Sequence, residues 1–130
     1  MKREKKSQNK KAERRKYPRI RKTLSLTLKG KGFSEVTETK DISGSGVYCK
    51  VSQPLPEFSK LDVVLHFPST QGRKTSLSAI HCKGAVVRSE KILREKGIPE
   101  KFFVAIYFTK LNSRNRAKLC RYVSNMLPKH

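Results

Sequence analysis

The sequence predicts a mainly β domain, an antiparallel barrel or sandwich, that begins with a basic arm and ends in an α-helix. Short segments that alternate apolar and polar residues recur along the chain, with glycine, serine and proline between them. Such segments, with few helical stretches among them, are typical of antiparallel β folds. The length of 130 residues corresponds to one domain with a modest core.

Much of the charge lies at the N-terminus. The chain has 31 basic and 10 acidic residues, a formal net charge of +21, and residues 1–22 alone hold 12 basic and 2 acidic residues. Residues 1–13 have no apolar periodicity, which predicts a disordered basic arm. Tyr17-Pro18 then favours extended backbone. This charge attracts anionic partners: nucleic acid, an acidic membrane surface or a phosphate-bearing small ligand.

Three strand-like segments follow the arm. LSLTLK (24–29) alternates leucine with polar residues, and the turn Gly30-Lys31-Gly32 joins it to FSEVTETKDI (33–42). GVYCKV (46–51) comes next, after a turn rich in glycine and serine. The alternation predicts strands with one buried face.

The second half of the chain repeats the pattern. LDVVLHF (61–67) places its apolar residues on one face, and PSTQGRK (68–74) is a predicted loop. SLSAIHCKGAVVRS (76–89) is one long strand or a bent pair broken at Gly84, and FFVAIYF (102–108) is the last predicted strand.

Two helical stretches accompany these strands. The first, 89–99, has Ser89 as its candidate N-cap and ends at Gly97 and Pro99, which predicts two turns at most. The second, 112–127, has apolar residues at helical spacing. They are Leu119, Val123 and Met126, with Cys120 and Leu127. Asn112 or Ser113 is its candidate N-cap, and its apolar stripe is expected to pack on one end of the β structure.

The three cysteines, Cys49, Cys82 and Cys120, are far apart and form no Cys-x-x-Cys pair. This spacing indicates reduced thiols rather than a disulfide framework or a zinc site. The N-terminus lacks the apolar stretch of a secretory signal, and no apolar run is long enough to span a bilayer. These features predict a soluble, cytoplasmic protein.

Three arginines, Arg14, Arg15 and Arg19, occur within the six residues RRKYPR. A guanidinium is a planar fork of donors that pairs with phosphate or with the O6/N7 edge of guanine, and it stacks on bases. Short basic clusters are also common on solvent-exposed surfaces without any ligand. Taken alone, RRKYPR is open to that interpretation.

The turn DISGSG (41–46) combines an acid, two serines and two glycines. Asp41 and Ser43 are two residues apart, so on extended backbone both face one way while Ile42 faces the core. A carboxylate suits the N1–H and N2 amine of guanine, and glycines allow close approach of the backbone to a ligand. Alternatively, the acid and serine simply cap a tight turn that the glycines close.

Taken together, the two segments resemble the PilZ domain family, whose pattern is Arg-x-x-x-Arg followed by Asp/Asn-x-Ser-x-x-Gly. The matching residues are Arg15, Arg19, Asp41, Ser43 and Gly46, and the resemblance extends from about residue 12 to 127. It implies a small antiparallel (six-stranded, Greek-key-like) β-barrel with a C-terminal α-helix and a flexible basic N-terminal arm. The implied domain covers 14–130, with a ligand-binding switch arm at 14–22.

The resemblance implies a bacterial receptor for cyclic di-GMP that signals to a separate partner protein. The implied ligand residues are Arg14, Arg15, Arg19, Asp41, Ser43 and Gly46. A basic residue directly before the arginine motif, here Arg14, accompanies two stacked ligand molecules in this family. The chain departs from the family at Ala105, where glycine is frequent, and we expect that change to affect packing rather than the ligand.

Two other classes of function are weighed against this one. The alternative is a nucleic-acid-binding protein acting through its Lys/Arg-rich arm, which would bind phosphates in a salt-dependent way, and anionic lipid is open to the same arm. An enzyme is not expected. His81 and Cys82 are neighbours on a strand and point to opposite faces, and neither they nor His66 suggest a catalytic pair, a metal site or a cofactor.

Overall fold

The computed structural model describes residues 17–71, 74–92 and 100–127. The elements of these residues are β1 (Ile20–Arg21), β2 (Ser25–Gly30), β3 (Phe33–Ser43), β4 (Gly46–Val51), β5 (Lys60–Gln71), β6 (Lys74–Lys91), β7 (Phe102–Lys110) and α1 (Ser113–Met126). The arm predicted at 1–13, and with it Arg14 and Arg15, lies outside the described residues.

The strands form a closed antiparallel barrel of six. Neighbours follow the order β3-β2-β5-β6-β7-β4, and pairing of β4 with β3 closes the ring. The connection from β4 to β5 passes over the barrel, because β5 lies between β2 and β6 rather than beside β4. The six-stranded, Greek-key-like barrel implied by the family resemblance is therefore confirmed.

Alternate residues of the strands point inward and form the hydrophobic core. Leu26 and Leu28 of β2 are fully buried, as are Val51 of β4 and Val104 of β7. On β5 the predicted apolar face is buried throughout. Its members are Leu61, Val63, Leu65 and Phe67. The alternation in the sequence thus identified the inward face correctly.

The short strand β1 pairs with the C-terminal end of β3. Ile20 pairs with Ile42 and Arg21 with Asp41, while β2 pairs with the earlier part of β3. Residues 22–24, between β1 and β2, are not part of the strand pairing with β3. The side chain of Thr39, which is 2% exposed, hydrogen-bonds to this segment. Its hydroxyl accepts from the Leu24 amide at 2.9 Å and donates to the Lys22 carbonyl at 2.5 Å.

The helix α1 matches the predicted stretch 112–127. Asn112 is its N-cap, because the Asn112 side chain accepts a hydrogen bond from the Asn115 amide at 2.8 Å. The buried face consists of Leu119, Tyr122 and Val123, and Tyr122 packs against Phe67 of the barrel at 5.2 Å between ring centroids. Met126, predicted on this face, is 47% exposed instead.

Two sequence predictions about β5 and β6 are wrong. The loop predicted at 68–74 is largely strand, since Pro68 pairs with Leu77 and the ladder continues to Gln71 and Lys74. Pro68 lies beyond the part of β5 that pairs with β2, and an open strand edge tolerates a residue without an N–H.

The helix predicted from Ser89 is also wrong at its start. Ser89 pairs with Val104 and continues β6 through Lys91, so ladder pairing overrides the local capping signal. Residues 93–99 of that prediction lie outside the described residues. Gly84 does not split the segment into two strands: β6 is one long strand whose register against β7 shifts between Lys83 and Gly84.

Candidate ligand groove

The turn between β3 and β4 is organised by its own serines. Ser43 is 4% exposed, and its hydroxyl lies 3.0 Å from the Ser45 hydroxyl and accepts from the Ser45 amide at 3.1 Å. Ile42 faces the core, as predicted, but Ser43 is also buried, while Asp41 is half-buried. The capping of this turn by serine is therefore present in the structure, and the Asp41 carboxylate is left to face outward.

Four of the predicted ligand residues meet in one groove. Arg19, Asp41, Ser43 and Gly46 line a groove of about 320 Å³ on the barrel surface. Strand β1 brings this about, because its pairing with the end of β3 carries the exposed Arg19 to Asp41. The other two predicted residues, Arg14 and Arg15, lie outside the described part of the chain.

Gly46 has a structural reason to be glycine. A Cβ atom there would stand 2.2 Å from the carbonyl oxygen of Ile106, where β4 pairs closely with β7. No real Cβ contact is that short, so the two strands would have to separate. The glycine thus permits the strand pairing that forms one wall of the groove.

The sequence did not identify Tyr48 and Arg88 as groove residues, and it predicted a packing role alone for Ala105. Tyr48 of β4 and Arg88 of β6 both pair with Ala105 of β7, so the three lie in a row across the sheet. The Arg88 guanidinium is 5.8 Å from the centre of the Tyr48 ring. Ala105, expected to affect packing alone, is part of the groove lining.

Charges around this row are mixed. Arg88 also makes an ion pair with Glu90 at 3.1 Å, which leaves both side chains more than half exposed. Burial raises the pKa of the Tyr48 phenol, the Glu90 and Asp41 carboxylates raise it further, and Arg88 opposes them. The phenol therefore keeps its proton at neutral pH and remains a hydrogen-bond donor.

A cationic and aromatic surface continues from the groove. Tyr48 stacks on Phe103 with 5.2 Å between centroids, and Lys40 lies 4.5 Å from the centre of the Phe103 ring. Lys50 approaches the same ring at 5.6 Å. Cations over aromatic faces are stabilised by the ring quadrupole. The surface next to the groove thus combines basic side chains with stacked aromatic rings.

The other side of the turn contacts the arm and the helix. The Arg116 guanidinium of α1 hydrogen-bonds the Gly44 carbonyl and lies 5.1 Å from the centre of the Tyr17 ring. A Cβ atom on Gly44 would come within 2.8 Å of Tyr17 and 2.6 Å of the Cys120 sulfur. Gly44 therefore lets Tyr17, which lies between the arginines of the motif, pack directly on the turn.

This groove has the chemistry to bind an anionic, base-containing ligand. It presents guanidinium donors from Arg19 and Arg88, a carboxylate acceptor from Asp41 and a phenol from Tyr48. Within the described residues there is no cluster of three or more His, Cys, Asp or Glu side chains that would hold a metal ion. No helix in that same part of the chain is long and apolar enough to cross a membrane.

Comparison with known proteins identifies the family and the fold. A family model described as the PilZ domain matches residues 13–125. No curated protein sequence matches the chain. Among solved structures, the PilZ domain of YcgR from Escherichia coli with c-di-GMP is similar with a TM-score of 0.60 and 14% identity, over 87% of this chain and 91% of that one.

Two longer proteins contain the same fold. The inhibitor of motility MotI/DgrA from Bacillus subtilis gives a TM-score of 0.69 at 15% identity, over 85% of this chain and 49% of its own. The K. pneumonia MrkH–c-di-GMP complex gives 0.61 at 15% identity, over 85% of this chain and 51% of its own. The chain thus spans about half the length of these two proteins, and at such identities the likeness concerns the fold.

Proposed function

The chain belongs to the PilZ domain family, and on that premise we propose that it is a receptor for cyclic di-GMP that acts on a separate partner protein. The observation that carries the proposal is the meeting of Arg19, Asp41, Ser43 and Gly46 in one groove. The similar YcgR domain was solved with c-di-GMP. A ligand with two guanines and two phosphates needs arginine forks and a carboxylate acceptor, which this groove offers.

Each of the predicted ligand residues has a distinct proposed role. Arg19, with Arg14 and Arg15 of the arm, pairs with guanine edges and phosphates. The Asp41 carboxylate accepts from the N1–H and N2 amine of one guanine, since an ionised carboxylate is an acceptor only. Ser43 fixes the turn through Ser45 and so positions Asp41. Gly46 keeps β4 close to β7 and contributes no side-chain contact to the ligand.

Arg88 and Tyr48 extend the site onto the barrel wall. Arg88 adds a guanidinium that lies over the Tyr48 ring, on a strand that pairs with Ala105. A guanidinium in this position can stack on a purine or pair with phosphate. Together with Arg14 it would help to offset repulsion among four phosphates, which supports binding of two stacked ligand molecules. A calorimetric stoichiometry near one would contradict that number.

Signalling follows from the arm. Residues Ile20 and Arg21 already pair with β3, and Tyr17 already packs on the turn, so the ligand acts on the arginines next to this anchor. Binding would neutralise Arg14, Arg15 and Arg19 and fix residues 14–16 against the groove, changing the surface that a partner meets. We propose no catalytic role for any residue.

Titration calorimetry with cyclic di-GMP tests the receptor. Arg19→Ala and Asp41→Ala should each weaken binding by about 1–3 kcal/mol, roughly 5- to 150-fold. Arg114→Ala and Glu38→Ala are the matched controls, because both side chains are exposed and neither lines the groove. Arg88→Ala is expected to weaken binding of cyclic di-GMP, as Arg19→Ala and Asp41→Ala do. Equal affinity in all five proteins would contradict the site.

Nucleic-acid binding through the arm is the second candidate, and the net charge of +21 is the observation that favours it. Binding of that kind weakens steeply with salt, because counterions are released from phosphates. If guanine-free polyanions bind as well as cyclic di-GMP and all affinity is lost at moderate salt, this second function replaces the first.

A further inference from the structure

A second recess, of about 700 Å³, shares no lining residue with the ligand groove. Exposed lysines from four strands or their turns surround it: Lys29, Lys31, Lys60, Lys83 and Lys110. The acid in its lining is Asp62, which forms an ion pair with Lys83. The other four lysines have no ion-pair partner within the described part of the chain. The recess is therefore strongly cationic.

An aromatic ring stands at the edge of this recess. Phe58 has φ of +71°, a left-handed conformation that bulky residues rarely adopt, and its side chain is 77% exposed. The turn is held firmly: the Phe58 amide donates to the Val86 carbonyl at 2.6 Å, and the Val86 amide donates to the Ser59 carbonyl at 3.0 Å. The fold thus holds an exposed aromatic side chain on a strained backbone conformation.

We propose that Phe58 and the five lysines, here named the Phe58 face, dock on an anionic phospholipid bilayer. Phe58 would enter the interface between headgroups and acyl chains, and the lysines would lie near the lipid phosphates. Burial of the apolar Phe58 ring removes it from water, which favours such docking. Attraction between the lysines and the anionic lipid surface favours it as well. The surface is part of the folded barrel and distinct from the basic arm.

The kind of cation points to a lipid surface rather than to a protein or nucleic acid. The ligand groove has arginines, whose planar forks suit defined carboxylates and phosphates, but the Phe58 face has lysines only. Lysine is a flexible point charge that responds to a diffuse negative surface. Phe58 is the single aromatic residue in the lining, whereas base stacking by nucleic-acid binders uses several.

Vesicle co-sedimentation of the full chain tests this inference. The vesicles contain phosphatidylcholine alone or phosphatidylcholine with about one third phosphatidylglycerol. Wild type should bind the second kind and not the first. Lys31→Gln with Lys110→Gln should weaken binding about 25-fold, at about fivefold for each lysine. Lys22→Gln with Lys118→Gln is the matched control, since both lysines are exposed and neither lines the recess.

Phe58→Gly separates docking from folding. Glycine adopts a φ of +71° without strain, so the variant should be at least as stable as wild type, yet its vesicle affinity should fall several-fold. Its affinity for cyclic di-GMP should be unchanged, because Phe58 does not line the ligand groove. Failure of the docking test would therefore leave the receptor proposal standing.

Three results would overturn the proposal. The first is wild type that ignores anionic vesicles. The second is binding that survives Phe58→Gly and the Lys31/Lys110 pair but is lost when Lys5, Lys6, Lys10 and Lys11 of the arm become glutamine, which would assign it to the arm. The third is loss of duplex DNA binding, but not of vesicle binding, in the variants of the Phe58 face.

Discussion

Arg116 in the C-terminal helix donates a hydrogen bond at 2.5 Å to the main-chain oxygen of Gly44, which lies 72 residues earlier in the turn of the ligand motif. The same guanidinium faces the Tyr17 ring. One side chain therefore joins the helix, the turn and the arm. The three positions are far apart in the sequence, so local patterns do not reveal their contact.

Arg116→Ala should lower the free energy of unfolding by about 1.5–3 kcal/mol, the usual range for a hydrogen bond to a charged group. Arg114→Ala is the control, because Arg114 is exposed on the same helix, and it should change stability by less than about 0.5 kcal/mol. Urea unfolding measures both. Equal stability of the two variants would mean that the Arg116 contact is not maintained in solution.

Thr39→Val tests the bridge between β1 and β2. Valine keeps the shape but removes the hydroxyl, which leaves the amide of buried Leu24 without its acceptor, so stability should fall by about 1–3 kcal/mol. Thr37→Val removes an exposed hydroxyl bond to Lys50 and should cost less than about 1 kcal/mol. Amide exchange at Leu24 should accelerate in the first variant and stay slow in the second.

Gly46→Ala should destabilise the barrel by about 1–3 kcal/mol or more, because its Cβ would overlap the Ile106 carbonyl. Gly32 provides the comparison, with φ of +71° and open space around it, so Gly32→Asn should be tolerated within about 1 kcal/mol. Thermal unfolding distinguishes them. Ligand affinity lost in a destabilised Gly46→Ala protein would not demonstrate a ligand contact at Gly46.

Cys49 should make stability fall at alkaline pH. Burial raises the pKa of its thiol from 9.0 to about 12, with a smaller contribution from Glu35. Above pH 9 the unfolded chain releases the proton while the folded chain keeps it, so the native state loses stability as pH rises from 9 towards 12. Relative to Cys49→Val, wild type should lose on the order of 1 kcal/mol by pH 10 in urea unfolding. Parallel pH profiles of the two proteins would contradict the buried thiol.

Local patterns were enough to predict most of the strand positions, the C-terminal helix and the family. Alternation identified the buried face of LDVVLHF, and Asn112 capped the helix as expected, because both depend on residues within a few positions. The start of the predicted helix at Ser89 was wrong for the complementary reason. Its strand partner, Val104, lies in another segment, and pairing of that kind outweighs a local preference.

The candidate site was predictable only where the motif itself specified it. Arg19 and Asp41 were identified from spacing, and β1 then brought them into one groove. Arg88 and Tyr48 were not identified, because their proximity depends on the register of two different strands against Ala105. Phe58 was missed since its unusual φ comes from hydrogen bonds to Val86 rather than from its own sequence.

The packing of Tyr17 on Gly44 makes the arm a short tether. Residues two positions apart along a chain are separated by at most about 7 Å between Cα atoms, and Arg15 precedes Tyr17 by two positions in the sequence. A binding group held this close acts at a high effective concentration, and little loop-closure entropy remains to oppose its engagement. In the receptor proposed here, the affinity for the ligand would then depend on how Tyr17 packs on the turn.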